Sequence, residues 1–199
     1  PEKVLTHPKN CGKGAALKTG LTYARQQGFR YAVTVDADGQ HRADDIPALL
    51  KAVEEEPDAL VIGSRGLQHE NMPAKSTFAN RFSNFWFALQ TLQRLPDTQS
   101  GLRVYPLRRL HGLRWMSARY EAELTLLVFS AWAGVKLLPV PVSVYYPPRD
   151  QRVTHFRPGR DFTRISVLNT LLCLLMVVYG WPRIFCRQIA RGVKGVFRK

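Results

Sequence analysis

Tyr31-Ala32-Val33-Thr34-Val35-Asp36-Ala37-Asp38-Gly39-Gln40-His41 is the stretch on which the fold turns: an apolar run, then two carboxylates at once. A strand places alternate side chains on one face. If the extended geometry carries on past Val35, then Asp36, Asp38 and Gln40 project together from the strand's C-terminal end. Two carboxylates and an amide oxygen make a hard donor set, suited to Mg²⁺ or Mn²⁺ and not to zinc or copper. Open α/β sheets bind their ligands outside the carboxyl ends of the strands. A divalent ion held there is placed to carry the diphosphate of a nucleotide.

Three other readings compete. An EF-hand loop needs Gly at its sixth position and Glu at its twelfth; counted from Asp36, His41 and Pro47 stand there, and that reading fails. An aspartyl phosphatase of the haloacid dehalogenase type has Thr where Gln40 stands, and a matching downstream lysine and acidic pair is not evident. A polar turn capping a helix accounts for Asp44 and Asp45, which precede Ile46, Leu49, Leu50 and Val53 at helical spacing. It leaves Asp36 and Asp38 unexplained.

Outward from this stretch, helix and short apolar strand alternate. Asn10-Cys11-Gly12-Lys13-Gly14 opens a helix from about 15 to 27 that Gly28 terminates. A Gly-Lys-Gly turn at a helix N-terminus offers free N–H groups and a cation to phosphate, though the P-loop pattern is not met. A helix from about 45 to 56 leads into strand Ala59-Leu60-Val61-Ile62, which runs on into Gly63-Ser64-Arg65. A long helix from about 74 to 95 carries Phe78, Phe82, Phe85, Trp86, Leu89 and Leu92 at helical spacing. The polar loop Asp97 to Arg103, a helix from Tyr120-Glu121-Ala122-Glu123 to Gly134, and a strand from 137 to 144 follow. Pro139 and Pro141 mark that last strand as peripheral. The pattern predicts an α/β fold: a doubly wound, mostly parallel sheet flanked by helices.

The 199 residues carry a net charge of +14, unevenly placed. Residues 1–58 hold 8 Lys/Arg and 9 Asp/Glu, while residues 59–199 hold 21 and 6. That asymmetry points to an anionic partner for the second half: phosphate, nucleic acid or anionic lipid. Cys11, Cys173 and Cys186 support neither a disulfide framework nor a zinc site, and a reducing, cytosolic setting fits. Residues 1–148 read as one domain. Residues 149–199 read as a basic linker, an apolar helix from Ile165 to Trp181, and a cationic tail with six Lys/Arg and no acid after Pro182. Seventeen helical residues span about 26 Å, slightly less than a ~30 Å hydrocarbon core, and both flanks are basic. A peripheral or re-entrant helix is favoured over a single span. The chain starts at Pro1 and enters a glycine-rich loop almost at once, so it is expected to lack an N-terminal portion.

In this order and spacing, these motifs resemble the family 2 glycosyltransferases, in particular the branch of dolichol-phosphate mannosyltransferase and the bacterial polyprenyl-phosphate glycosyltransferases. The resemblance runs through Asn10-x-Gly12-Lys13-Gly14, Asp36-Ala37-Asp38-Gly39-Gln40-His41, Gly63-Ser64-Arg65, Asp97-x-x-Ser100-Gly101-Leu102-Arg103, Tyr120-Glu121-Ala122-Glu123 and Val140-Pro141-Val142. It implies a GT-A fold, an inverting transfer from a nucleotide-sugar donor, Mg²⁺ or Mn²⁺, and a membrane lipid acceptor, with no nucleic-acid partner. The family's opening strand, which helps bind the nucleotide base, has no counterpart here. By position, Asp36, Asp38 and Gln40 would hold metal and diphosphate, while Asn10, Gly12, Lys13 and Gly14 would lie near the nucleotide with Asp36. Arg65, Arg81 and Ser83 would meet the acceptor's phosphate. His155 and Arg157 join them on their position between domain and apolar helix alone. Asp38, Asp97 and Glu123 are the catalytic candidates. A lipid phosphate is already a nucleophile and needs cations to steer it, whereas a hydroxyl acceptor needs a base, sought among Asp97, Glu121 and Glu123. The expected setting is the cytoplasmic face of a membrane.

Overall fold

The computed structural model describes residues 3–66, 74–110, 112, 119, 121–145 and 158–196. Four strands form one sheet: β1 (Tyr31–Thr34), β2 (Leu60–Arg65), β3 (Arg103–Pro106) and β4 (Leu137–Val142), in the order β1-β3-β2-β4. β3 runs antiparallel to both of its neighbours, and β4 pairs with β2 in parallel. Three strands therefore share one direction and bring their carboxyl ends to the same edge, with β3 reversed between them. Leu60 stands opposite Leu137 and Arg65 opposite Val142, so the edge strand with its two prolines pairs along its full length.

The alternation along β2 builds two cores. Leu60 and Ile62 face one way, into a cluster with Phe87, Tyr105, Leu126, Leu127 and Trp132. Val61 faces the other way, against Leu49, Val53, Val104 and Val142. Helix α2 (Ile46–Glu55) supplies Leu49 and Val53 to the second cluster, while α1 (Lys13–Gln26), α3 (Ala74–Thr91) and α4 (Glu121–Ala133) cover the opposite face. This is the helix–sheet–helix sandwich expected of a doubly wound fold. α4 is buried without interruption from Ala122 to Trp132, Glu123, Thr125 and Ser130 included; a helix with apolar residues on every side belongs in an interior. What covers its outer side is the C-terminal segment: α5 (Pro158–Leu175), a π-helical turn (Met176–Gly180) and α6 (Trp181–Val196). Leu168 and Leu172 of α5 are members of the main cluster.

Local signals hold where the backbone alone decides. Gly28 follows α1 with φ of +80°, the left-handed conformation a helix stop favours. α3 ends at Thr91, earlier than the apolar spacing suggested, and Leu92 takes a positive φ of 56° there.

Candidate active site

The carboxyl edge of the sheet carries most of the predicted residues, but not in the predicted geometry. β1 stops at Thr34, residues 37 and 38 form a turn, and Gly39 adopts a φ of +73°. The alternation expected to align Asp36, Asp38 and Gln40 therefore does not operate. Asp38 is exposed and accepts the Gln40 N–H at 3.1 Å, a local turn bond. The Gln40 carbonyl in turn accepts the Tyr145 N–H at 3.0 Å, and His41 bridges Val144, tying this turn to the chain after β4.

Asp36 turns towards α1. Lys13 Nζ lies 2.7 Å from Asp36 Oδ1 and 2.8 Å from Glu123 Oε2, so one ammonium joins the carboxylate that follows β1 to the first turn of α4. Burial works against that charge, yet Glu123 and Asp36 outweigh it and raise the Lys13 pKa above its ordinary value. On its other side the Asp36 carboxylate rests on Gly101, where any Cβ would collide with it. Thr34 Oγ1 donates to the Gly101 carbonyl at 3.0 Å and holds that close approach. Ahead of Lys13, the Asn10 side chain accepts the Gly12 N–H at 2.9 Å, and Gly12 takes a φ of 90°. A cavity of about 410 Å³ opens beside this loop, lined by His7, Lys9, Asn10, Gly12, Lys13 and Thr19 among others.

The loop after α3 is a second anchored unit. Asp97, 1% exposed, receives Arg65 Nε at 2.6 Å, an Arg65 terminal nitrogen at 3.0 Å and Asn80 Nδ2 at 2.7 Å. The backbone N–H groups of Arg65 and Gln99 donate to it as well, at 3.2 and 3.0 Å. Burial alone would raise its pKa; the Arg65 guanidinium foremost, then the Gln99 and Asn80 bonds, overcome this and hold the carboxyl below its usual range. A carboxylate so engaged is a counter-ion that orients Arg65 and a poor proton acceptor. Ser83 bonds Thr98 at 2.7 Å, and Asn84 accepts from the Thr98 N–H and hydroxyl. Arg103 is wholly buried and donates to the carbonyls of Ser100, Thr98 and Glu123, clamping this loop to α4.

His41 stands between the two units, with the charges of Arg65, Asp36, Asp38 and Asp97 all acting on it. Burial first and Arg65 second lower its pKa below the ordinary imidazole value.

The structure thus joins Lys13, Asp36 and Glu123 in one ion-paired group, and Arg65, Asp97 and Ser83 in the neighbouring loop anchor. Arg81 is exposed on α3. His155 and Arg157 lie outside the described residues. Asn80, Asn84 and Thr98 were not assigned a role from sequence, and the polar stripe Asn80, Ser83, Asn84 at helical spacing was the available signal; Arg103 stands in the Asp97 to Arg103 motif, but its clamp on α4 is seen only in the fold. Among the described residues no three His, Cys, Asp or Glu side chains converge as a metal shell. Mg²⁺ often takes only one or two carboxylates, with water and substrate phosphates completing its shell. Asp36, Asp38 and Gln40 meet that smaller demand: all are oxygen donors, none is buried, and they border the sheet's carboxyl edge.

Residues 2–108 match the family model described as glycosyl transferase family 2. An uncharacterized protein of Methanocaldococcus jannaschii is 32% identical over 178 residues, which are 87% of this chain and 70% of that protein. The UDP-N-acetylglucosamine–dolichyl-phosphate N-acetylglucosaminyltransferase of Methanococcus voltae is 32% identical over 147 residues, 71% of this chain and 59% of that enzyme. The undecaprenyl-phosphate mannosyltransferase of Micrococcus luteus is 27% identical over 146 residues, 70% and 59% respectively. The chain thus spans between 59% and 70% of the lengths of these three relatives.

Proposed function

We propose that this chain, which belongs to glycosyl transferase family 2, moves a sugar from a nucleotide-sugar donor to a polyprenyl phosphate at a membrane surface. The observation that carries the choice of acceptor is the state of the two buried carboxylates. Asp97 is held by Arg65 and Glu123 by Lys13, so neither is disposed to take a proton from a hydroxyl. A phosphate acceptor arrives deprotonated and needs no base. Dolichyl phosphate stands in the name of one of the relatives and undecaprenyl phosphate in that of another.

In the reaction, an acceptor phosphate oxygen forms a bond to the sugar's anomeric carbon. The bond from that carbon to the donor's diphosphate oxygen breaks, and the nucleoside diphosphate leaves with the electron pair. Lys13, the first residue of α1 beside the Asn10 to Gly12 loop, supplies positive charge on the donor side. Glu123 keeps that ammonium aimed at the sheet edge. Mg²⁺ or Mn²⁺, when bound, would sit on Asp36, Asp38 and Gln40 and offset the charge of the departing diphosphate. Arg65, fixed in orientation by Asp97, and Arg81, exposed on the neighbouring helix, form the acceptor side; Arg matches phosphate oxygens with paired, charge-assisted hydrogen bonds. The apolar C-terminal helix keeps the enzyme where lipid acceptors are, on the cytosolic surface.

The test uses the full-length protein with polyprenyl phosphate, a panel of nucleotide sugars and Mg²⁺ or Mn²⁺. Nucleoside diphosphate should appear in step with glycosylated lipid, and both should cease in excess chelator. Release of inorganic phosphate without any sugar donor would favour the aspartyl phosphatase reading instead.

A further inference from the structure

The C-terminal helix has two apolar sides, and only one is covered. Leu168, Leu172 and Ile184 pack on the main core, Gly180 lies against the Trp132 ring, and Arg187 donates to the Trp132 carbonyl. Gln90 of α3 adds a buried bond to Asn169 at 3.1 Å. Leu172 and Ile184 are twelve residues apart, which regular helical turns would leave about 120° out of line. The wider π turn at Met176–Gly180 takes up one residue and returns them to the same side. The other side bears Val167, Leu171, Leu174, Val178, Phe185 and Ile189, each between 46% and 74% exposed. A helix on a water-facing surface would show polar residues there.

Length and composition alone would let Thr163–Ala190 cross a bilayer. Its contacts forbid that arrangement. Between Leu168 and Arg187 the helix rises roughly 28 Å, close to the ~30 Å of a hydrocarbon core, and both ends are held by the same globular body. If the helix crossed, α4 and the buried polar pair Gln90–Asn169 would be drawn into lipid with it.

We infer that this helix lies in the plane of an anionic membrane surface, its Val167 to Ile189 stripe in the acyl boundary and its other side still seated on the catalytic domain. The basic residues from Arg183 onward, six with no acid among them, match an anionic headgroup layer. Arg183 over the Tyr179 ring, 5.0 Å from its centroid, places a cation and an aromatic ring together at that level. The inference rests on the membrane part of the proposed function, not on the identity of the acceptor.

The test is a depth profile on the full-length protein in vesicles of phosphatidylcholine and phosphatidylglycerol. Fluorophores are placed singly at Val167, Leu171, Leu174, Val178, Phe185 and Ile189 through cysteine, with Cys11, Cys173 and Cys186 changed to Ser. Quenching by lipids brominated at different acyl depths should put all six at one shallow depth. A graded profile, deepest near Val178 and shallow at both ends, would mean a span and overturn the inference. Quenching at no position, with concentration-dependent self-association, would overturn it in favour of a second copy of the chain. Should the cysteine-free background not fold, Leu171→Glu with Val178→Glu in the wild-type background serves: vesicle flotation should fall at least tenfold, and unchanged flotation would refute the stripe. An acceptor other than lipid phosphate would show only in the transfer assay and leave the depth profile as it is.

Discussion

Changing Asp97 to Asn tests the loop anchor and, through it, the orientation of Arg65. The carboxylate is 1% exposed and meets side-chain donors from Arg65 and Asn80 and backbone N–H groups from Arg65 and Gln99. The amide keeps one acceptor oxygen and sets an NH₂ against donors. Removing one member of a buried pair typically costs ~3–5 kcal/mol. The Arg65 side chain keeps 12% exposure and rehydrates in part, so ~2–4 kcal/mol is the expected loss. For a chain of this size ~1 kcal/mol moves Tm by roughly 2–4 °C, which places the variant about 5–15 °C below wild type at pH 7. The pH dependence carries the sign. Asp97's folded pKa is lowered, so its stabilisation is fully present above the ordinary value near ~3.9 and is lost as pH falls through the lower folded value. Thermal melts by circular dichroism from pH 7 down to pH 2 should show the gap between variant and wild type closing at the acid end. A gap under about 2 °C at pH 7 would show that Asp97 does not anchor the loop, since it is smaller than the lowest loss expected from breaking the pair. So would one that persists unchanged to pH 2.

Asp38→Ala should lower donor turnover roughly a hundredfold or more while leaving Tm within about 2 °C, because the side chain is exposed; steady-state kinetics alongside a melt checks both. Gly101→Ala drives a methyl into the Asp36 carboxylate, and kcat/KM for the donor should fall about tenfold or more, with Lys13→Ala in the same background adding little further loss. Arg81→Ala should raise the KM for polyprenyl phosphate several-fold and leave slow hydrolysis of the donor unchanged, as a kinetic split would show.

What could be read from the chain follows from how each feature is encoded. Strand β1, the stop at Gly28, the edge character of β4 and the alternation of helix with strand are local, written in period and punctuation. The reversed insertion of β3 between β1 and β2 is not, because Val104 and Tyr105 look the same whichever way the strand runs. Asp36 and Asp38 were expected to align on a continuing strand; Gly39 and the Asp38 turn bond end the extended geometry first. The Lys13–Glu123 pair joins residues 110 positions apart, which only the packing of α1 against α4 brings together. In α3 the sequence displays its aromatic spacing, whereas Asn80, Ser83 and Asn84 on another face hold the loop that carries Asp97. The C-terminal helix was legible as apolar, but its attachment to α4 depends on a π turn with no sequence period of its own.

The most direct measurement offers the full-length enzyme matched acceptors, one polyprenyl phosphate and the corresponding polyprenol, with its preferred nucleotide sugar. Glycosyl transfer should go to the phosphate alone, giving a lipid product whose sugar is released by mild acid as expected of a glycosyl phosphate ester. Equal or faster transfer to the free alcohol would contradict it, because a base would then have to act where Asp97 and Glu123 are both held by cations.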